Sequence, residues 1–185
     1  MSITRRHLLL GLPLALSLAG GAGFYALLRR MQAGDYDPHS LPSPLIGKPP
    51  PNFTLPGAAG LPGVSSACLR SLTAPILVNW FASWCAPCQQ ETQALQQLHT
   101  QGVVIWGVAY EDSPKAVTQF LHQYGTPYQR LGLDETGLTA INWGVYGVPE
   151  SYVIDKTGIV RWRYAGPLTE AVINDHLMPV LKAAA

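Results

Sequence analysis

Two cysteines separated by two residues, Cys85 and Cys88, sit where an apolar run meets a helical stretch, and this junction narrows the folds open to the chain. Ile76-Leu77-Val78-Asn79-Trp80-Phe81-Ala82 is rich in β-branched and aromatic residues and reads as a short buried strand. From Pro87 to about Thr100 the composition turns to Gln, Glu, Ala and Leu, with Ala94, Leu95 and Leu98 at helical spacing. The cysteines therefore mark the start of a helix fed directly by a buried strand.

The remaining pattern extends this unit. A second buried strand is expected over 103–110, ending at Glu111-Asp112-Ser113-Pro114, a helix start with proline early in it. Val117, Phe120 and Leu121 form one face of that helix, which stops near Gly125. A third strand is expected near 129–133 and a short helix near 138–143, before a turn over 144–149. The segments 151–154 and 159–164, joined by Asp155-Lys156-Thr157-Gly158, carry the hairpin signal, with Gly where positive φ is needed. An amphipathic helix over 168–183 closes the chain. The order βαβα followed by ββα implies an α/β domain, its mixed central sheet flanked by helices on both faces.

The position of the thiols dictates their chemistry. At a helix N-terminus a sulfur faces unpaired backbone N–H groups and the positive end of the dipole, which stabilise a thiolate. Cys85, nearest the end and nearest solvent, is the expected nucleophile. Cys88, one turn in, is the expected resolving thiol that attacks the mixed disulfide and frees the partner. Pro87 suits the first turn because its missing N–H would be unpaired there. A zinc site would need four ligands, but there is a single C-x-x-C and the histidines are scattered at 7, 39, 99, 122 and 176. No metal and no cofactor beyond the Cys85–Cys88 disulfide is expected. A bridge closing so small a loop adds little stability, and a chain of 185 residues does not need one to fold. Redox exchange remains. The third cysteine, Cys68, lies outside the motif on a helical turn and reads as an idle thiol.

The N-terminus is of a different kind. From His7 to Leu28 run 22 residues without Lys, Arg, Asp or Glu, enough to cross a hydrocarbon core of roughly 30 Å. Arg5-Arg6 and Arg29-Arg30 bracket the run, and Gly11, Pro13, Gly20, Gly21 and Gly23 would weaken any water-soluble helix. Residues 1–30 are read as a signal anchor spanning 7–28. Ser17-Leu18-Ala19 offers a cleavage pattern and Thr4-Arg5-Arg6 a partial twin-arginine start, but the run is longer than a signal h-region. Residues 31–51, with Pro38, Pro42, Pro44, Pro49, Pro50 and Pro51, are read as an extended tether, and 52–185 as the soluble domain. Beyond the anchor the chain has eight basic and eleven acidic residues, a net of −3, which excludes a nucleic-acid role.

Asn79-Trp80-Phe81-Ala82-Ser83-Trp84-Cys85-Ala86-Pro87-Cys88 resembles the active-site strand of membrane-anchored thioredoxin-like proteins. With Gly144-Val145-Tyr146-Gly147-Val148-Pro149-Glu150 and the segment 41–49, the resemblance narrows to the DsbE/CcmG family, the thiol:disulfide interchange proteins of cytochrome c biogenesis. It covers about residues 40 to 182. The G-V-Y-G-V-P-E match is the specific part, since C-x-x-C alone indicates only the superfamily.

The resemblance implies a thioredoxin fold, with Pro149 as a cis-proline facing the cysteines. Trp84, Pro87, Glu91, Tyr146, Val148, Pro149 and Glu150 become the expected substrate-binding or tuning positions. Trp84 would offer a flat docking surface and Trp80 would belong to the core. Glu91 and Glu150 would form an acidic patch that tempers the thiolate; read without the family, Glu91 is a solvated helix residue. The resemblance further implies a bacterial inner-membrane protein with its domain in the periplasm. A membrane electron donor of the DsbD/CcdA kind would reduce it, and it would reduce apocytochrome c or haem-ligation chaperones. The rival expectations are a general periplasmic thiol-disulfide reductase and a non-catalytic membrane adaptor. A peroxide-reducing enzyme is more remote, because peroxidatic cysteines stand in a different sequence context.

Overall fold

A computed structural model describes the backbone of residues 5–32 and 43–184, with side chains for 16–29 and 43–184. Two compact units result, Met1–Leu41 and Pro42–Ala185. In the first, helix α1 spans Arg5–Gln32. Among the described residues no helix is long and apolar enough to cross a membrane. The side chains of 7–15, the leading part of the expected span, and the tether residues 33–42 lie outside the described residues.

The second unit is built on a five-stranded mixed sheet. In chain order it contains β1 (Thr54–Leu55), β2 (Val64–Ser65), α2 (Ser66–Leu69), β3 (Ile76–Phe81), α3 (Ala86–Thr100), β4 (Val104–Tyr110), α4 (Pro114–Tyr124), β5 (Arg130–Asp134), α5 (Leu138–Trp143), β6 (Glu150–Ile154) and β7 (Val160–Ala165). The sheet order is β5-β4-β3-β6-β7. β3 and β4 pair in parallel, as do β4 and β5, while β6 pairs antiparallel with both β3 and β7. The central strand β3 is buried at all of its positions, which is why its sequence is a continuous apolar run rather than an alternation.

Two cores sandwich the sheet. Leu77 and Phe81 of β3 face α3, α4 and the C-terminal helix, among them Leu95, Leu98, Phe120, Leu177 and Leu181. Val78 and Trp80 face the other way, onto Leu55, Val64, Leu69, Trp143 and Tyr152. The thioredoxin fold with helices on both faces of a mixed sheet is thus present, and the helical assignments at 138–143 and around α3 and α4 fall where periodicity placed them.

Three local features differ from the expectations. Residues 43–51 are not an extended spacer: they turn, with Ile46 N donating to Ser43 O at 3.3 Å and Lys48 N to Leu45 O at 2.9 Å. Gly47 N then donates to Val160 O, and Val160 N to Lys48 O, so the segment docks on the end of β7. Leu45 packs against the second core and Pro50 is buried, which offsets the entropy of ordering a proline-rich segment. Second, β1 and β2 form a small hairpin that periodicity did not indicate. It caps the β5 edge through Leu131 N to Pro62 O and Leu133 N to Pro56 O, at 2.9 and 3.0 Å. Gly57 and Gly63 are required there, because an added Cβ would collide with the Leu61 and Leu55 carbonyls. Third, the closing helix begins at Glu170 and runs α6 (Glu170–Val172), a π segment (Ile173–Leu177) and α7 (Met178–Ala183). Pro179 lies in the first turn of α7, where it can donate no backbone hydrogen bond, so the regular α ladder is broken just ahead of it.

Candidate active site

The sheet carries Cys85 to the N-terminus of α3 as that helix's cap. Its backbone is extended (φ −90°, ψ 108°), and its Sγ accepts from Cys88 N at 3.2 Å. Cys85 and Cys88 are joined as a disulfide. The first turn of α3 contains Pro87, and its donor-poor start leaves Cys88 N aimed at the Cys85 sulfur. Cys85, expected nearest solvent, is 4% exposed and Cys88, expected to be the more buried, 1%, so both are largely enclosed. Both cysteines belong to the α3-side core. Cys68 is half-buried and free, beside Ser65 Oγ at 3.2 Å.

The loop after α5 closes over this point. The Val148–Pro149 peptide is cis, and Val148 O lies 3.4 Å from Cys85 Sγ. Tyr146 and Trp84 are both 59% exposed, while Trp80 is fully buried. Trp84 is not free to swing: its Nε1 donates to Glu111 O at 3.3 Å, and its ring lies 6.4 Å from that of Tyr110. Glu111 delivers that carbonyl from a left-handed backbone, φ 45°, a conformation costly for a residue with a Cβ.

Two functional neighbours escaped the sequence reading because their partners are distant in the chain. Asp112 accepts from Ser83 N at 2.6 Å, Ser83 Oγ at 3.0 Å and Ser113 N at 2.8 Å, and so fixes the turn immediately before Trp84. Asn79 donates to Glu91 Oε1 at 2.9 Å and to Ser151 Oγ at 3.1 Å, and accepts from Tyr128 OH at 2.8 Å. Within the continuous apolar run of β3, Asn79 carries no periodic signal of its own.

Glu91 corrects its reading as a solvated helix residue. It is 3% exposed, on the buried face of α3 that also carries Cys88. Its second oxygen accepts from Leu168 N at 3.0 Å. Burial raises its pKa from 4.5 to about 7, only partly opposed by the hydrogen bonds from Leu168 and Asn79. Burial, with the Glu91 charge nearby, also pushes the Tyr128 phenol up, so it remains a donor.

Glu150, expected with Glu91 in an acidic patch around the thiols, carries its charge inside an ion pair. It is fully buried and paired with Arg163, Nε to Oε1 at 2.5 Å, on the neighbouring strand β7. Tyr152 OH donates to the same oxygen at 2.5 Å and stays protonated, because burial and the Glu150 charge raise its pKa. Burial works against the Arg163 charge, yet the Glu150 hydrogen bond and charge hold its pKa above the ordinary value. The Arg163 guanidinium lies 4.6 Å from the centre of the Tyr146 ring. Among the described residues no cluster of three or more metal-ligating side chains occurs.

The arrangement is that of a disulfide exchanger, and comparisons with known proteins agree with it. The AhpC/TSA family model matches residues 46–163. The thiol:disulfide interchange protein HelX of Rhodobacter capsulatus is 40% identical over 179 residues, covering 96% of this chain and 97% of HelX. The chain belongs to the DsbE/HelX family of thiol:disulfide interchange proteins. DsbE of Escherichia coli K12 is 37% identical over 176 residues, covering 95% of this chain and 94% of DsbE. Among solved structures, one described as a DsbE thiol:disulfide interchange protein from Chlorobium tepidum superposes with a TM-score of 0.62 at 26% identity. It covers 78% of this chain and 99% of that one. Like its DsbE and HelX relatives, the protein is a thiol:disulfide oxidoreductase.

Proposed function

We propose that the protein is a membrane-anchored reductant of cytochrome c maturation, delivering electrons from Cys85 and Cys88 to disulfides of apocytochrome c or its haem-ligation chaperones. The observation that carries this reading is the near-complete burial of both cysteines, with the Cys85 sulfur beside the Val148 carbonyl. A reductant working in an oxidising compartment must not undo structural disulfides, and a thiol so nearly enclosed admits few of them. Residues 7–28 hold the chain in the bacterial inner membrane, and the domain faces the periplasm. No group beyond the cysteine pair is needed.

In the reduced state the Cys85 thiolate attacks one sulfur of a substrate disulfide. A mixed disulfide forms, and the second substrate sulfur leaves as a thiolate that takes up a proton. Cys88, deprotonated, then attacks the Cys85 sulfur. The Cys85–Cys88 disulfide forms and the first substrate sulfur leaves, so two electrons have passed to the substrate. The α3 N-terminus stabilises the thiolates through its unpaired N–H groups. Glu91, titrating near neutrality on the Cys88 face of α3, is the group suited to accept the Cys88 proton. Val148 and Pro149 line up the incoming chain in extended form, and Trp84 supports it on the other side. A membrane electron donor of the DsbD/CcdA kind returns two electrons and two protons to the pair.

The test is a covalent-haem stain of membranes from cells carrying only the Cys85→Ser variant, with and without added small thiol. Loss of c-type haem bands, restored by thiol, is expected. Bands of wild-type intensity would assign the exchange chemistry to a general reductase instead.

A further inference from the structure

We infer that Arg163 is a positioning residue for the exchange reaction, which sets affinity for the protein substrate by holding the Tyr146 ring on the loop whose Val148 carbonyl meets Cys85. The chain of contacts is continuous. Glu150 and Arg163 have side chains 0% and 5% exposed and share a 2.5 Å ion pair. Tyr152, opposite Arg163 in the β6–β7 register, donates its one phenol proton to Glu150, and its ring packs edge-on against that of Trp143 with centroids 5.2 Å apart. The base of the cluster is therefore locked to the end of α5, where the loop carrying Tyr146 begins. At its top the planar guanidinium lies under the Tyr146 ring.

An exposed tyrosine on a loop would otherwise sample several rotamers, and ordering it on binding costs affinity. A cation held by a buried carboxylate cannot follow the ring into other orientations, so it favours one. The ring then stands ready two residues from Val148, whose carbonyl touches Cys85 Sγ. Arg163 touches neither the substrate disulfide nor the reacting sulfurs, so its influence falls on binding of a chain and not on sulfur chemistry. A lysine could neutralise Glu150, but it lacks the flat face that stacks on a ring.

The experiment follows exchange by reduced protein with two disulfides: a cyclic octapeptide closed by a Cys-x-x-Cys bridge, and the small aromatic disulfide dithiobis(nitrobenzoate). The Arg163→Met variant is expected to raise KM for the peptide about tenfold, with kcat and the rate with the small disulfide within about twofold of wild type. Because Arg163→Met strands a buried carboxylate, a cost to folding in itself, the Glu150→Gln/Arg163→Met pair is measured alongside it. Both are repeated in a Tyr146→Ala background, where removing Arg163 is expected to change KM no further. Equal loss with both disulfides, or a loss of the same size with and without Tyr146, would overturn the inference.

Discussion

The Glu91 carboxylate accepts a 2.9 Å hydrogen bond from Asn79 Nδ2, tying the redox helix α3 to the central strand β3 through a buried acid. Its pKa is raised from 4.5 to about 7 by burial, so the sign of its effect on stability follows. Below pH 4.5 the carboxyl is protonated in both folded and unfolded chains and costs nothing. As pH rises to 7 the unfolded chain ionises first, and stability is lost by about 3 kcal/mol across that window. Urea denaturation of wild type and Glu91→Gln at several pH values checks this. The variant gains on wild type between pH 5 and 7; a constant difference across that range would contradict it.

Asp112 gathers three donors at the turn before Trp84. Asp112→Ala leaves Ser83 N without its acceptor, and a loss of about 2 kcal/mol is expected, the scale of hydrogen bonds to a charged group. Because that turn presents Cys85, the rate of Cys85 exchange falls as well. An unchanged denaturation midpoint would show that water replaces the carboxylate without cost.

Glu111 holds a left-handed backbone to offer its carbonyl to Trp84. Glu111→Gly removes the Cβ penalty and keeps the carbonyl, so stability rises by about 1 kcal/mol in thermal denaturation. A decrease would mean that the side-chain hydrogen bond between Glu111 and Tyr110 outweighs the strain.

The elements that were legible in the sequence are those whose signal is local. The β6–β7 hairpin was read from Asp155 to Gly158, where Gly158 adopts φ 81° and Asp155 Oδ1 accepts from Thr157 and Ile159. The strand-to-helix junction at Cys85 was equally plain, since an apolar run gives way there to helix formers. What was not legible depends on which elements cover which face. Arg161 and Arg163 alternate with Trp162 and Tyr164, so β7 reads as having one solvated face. Arg161 is exposed accordingly, but Arg163 is covered from above by the loop after α5 and paired to Glu150. Glu91 looks solvated by composition, and only the arrival of Leu168 N from 77 residues away shows that it is enclosed. The β1–β2 hairpin has two-residue strands, too short for any periodicity to register.

The central claim is a division of labour between two sulfurs, with Cys85 attacking and Cys88 resolving. Its most direct test is to mix reduced Cys88→Ser protein with the cyclic disulfide peptide and to map the trapped adduct by mass spectrometry. A stable mixed disulfide at Cys85, absent from Cys85→Ser protein, is the predicted result. An adduct carried by Cys88 or Cys68 in the Cys85→Ser protein, at the rate seen in its counterpart, would contradict it.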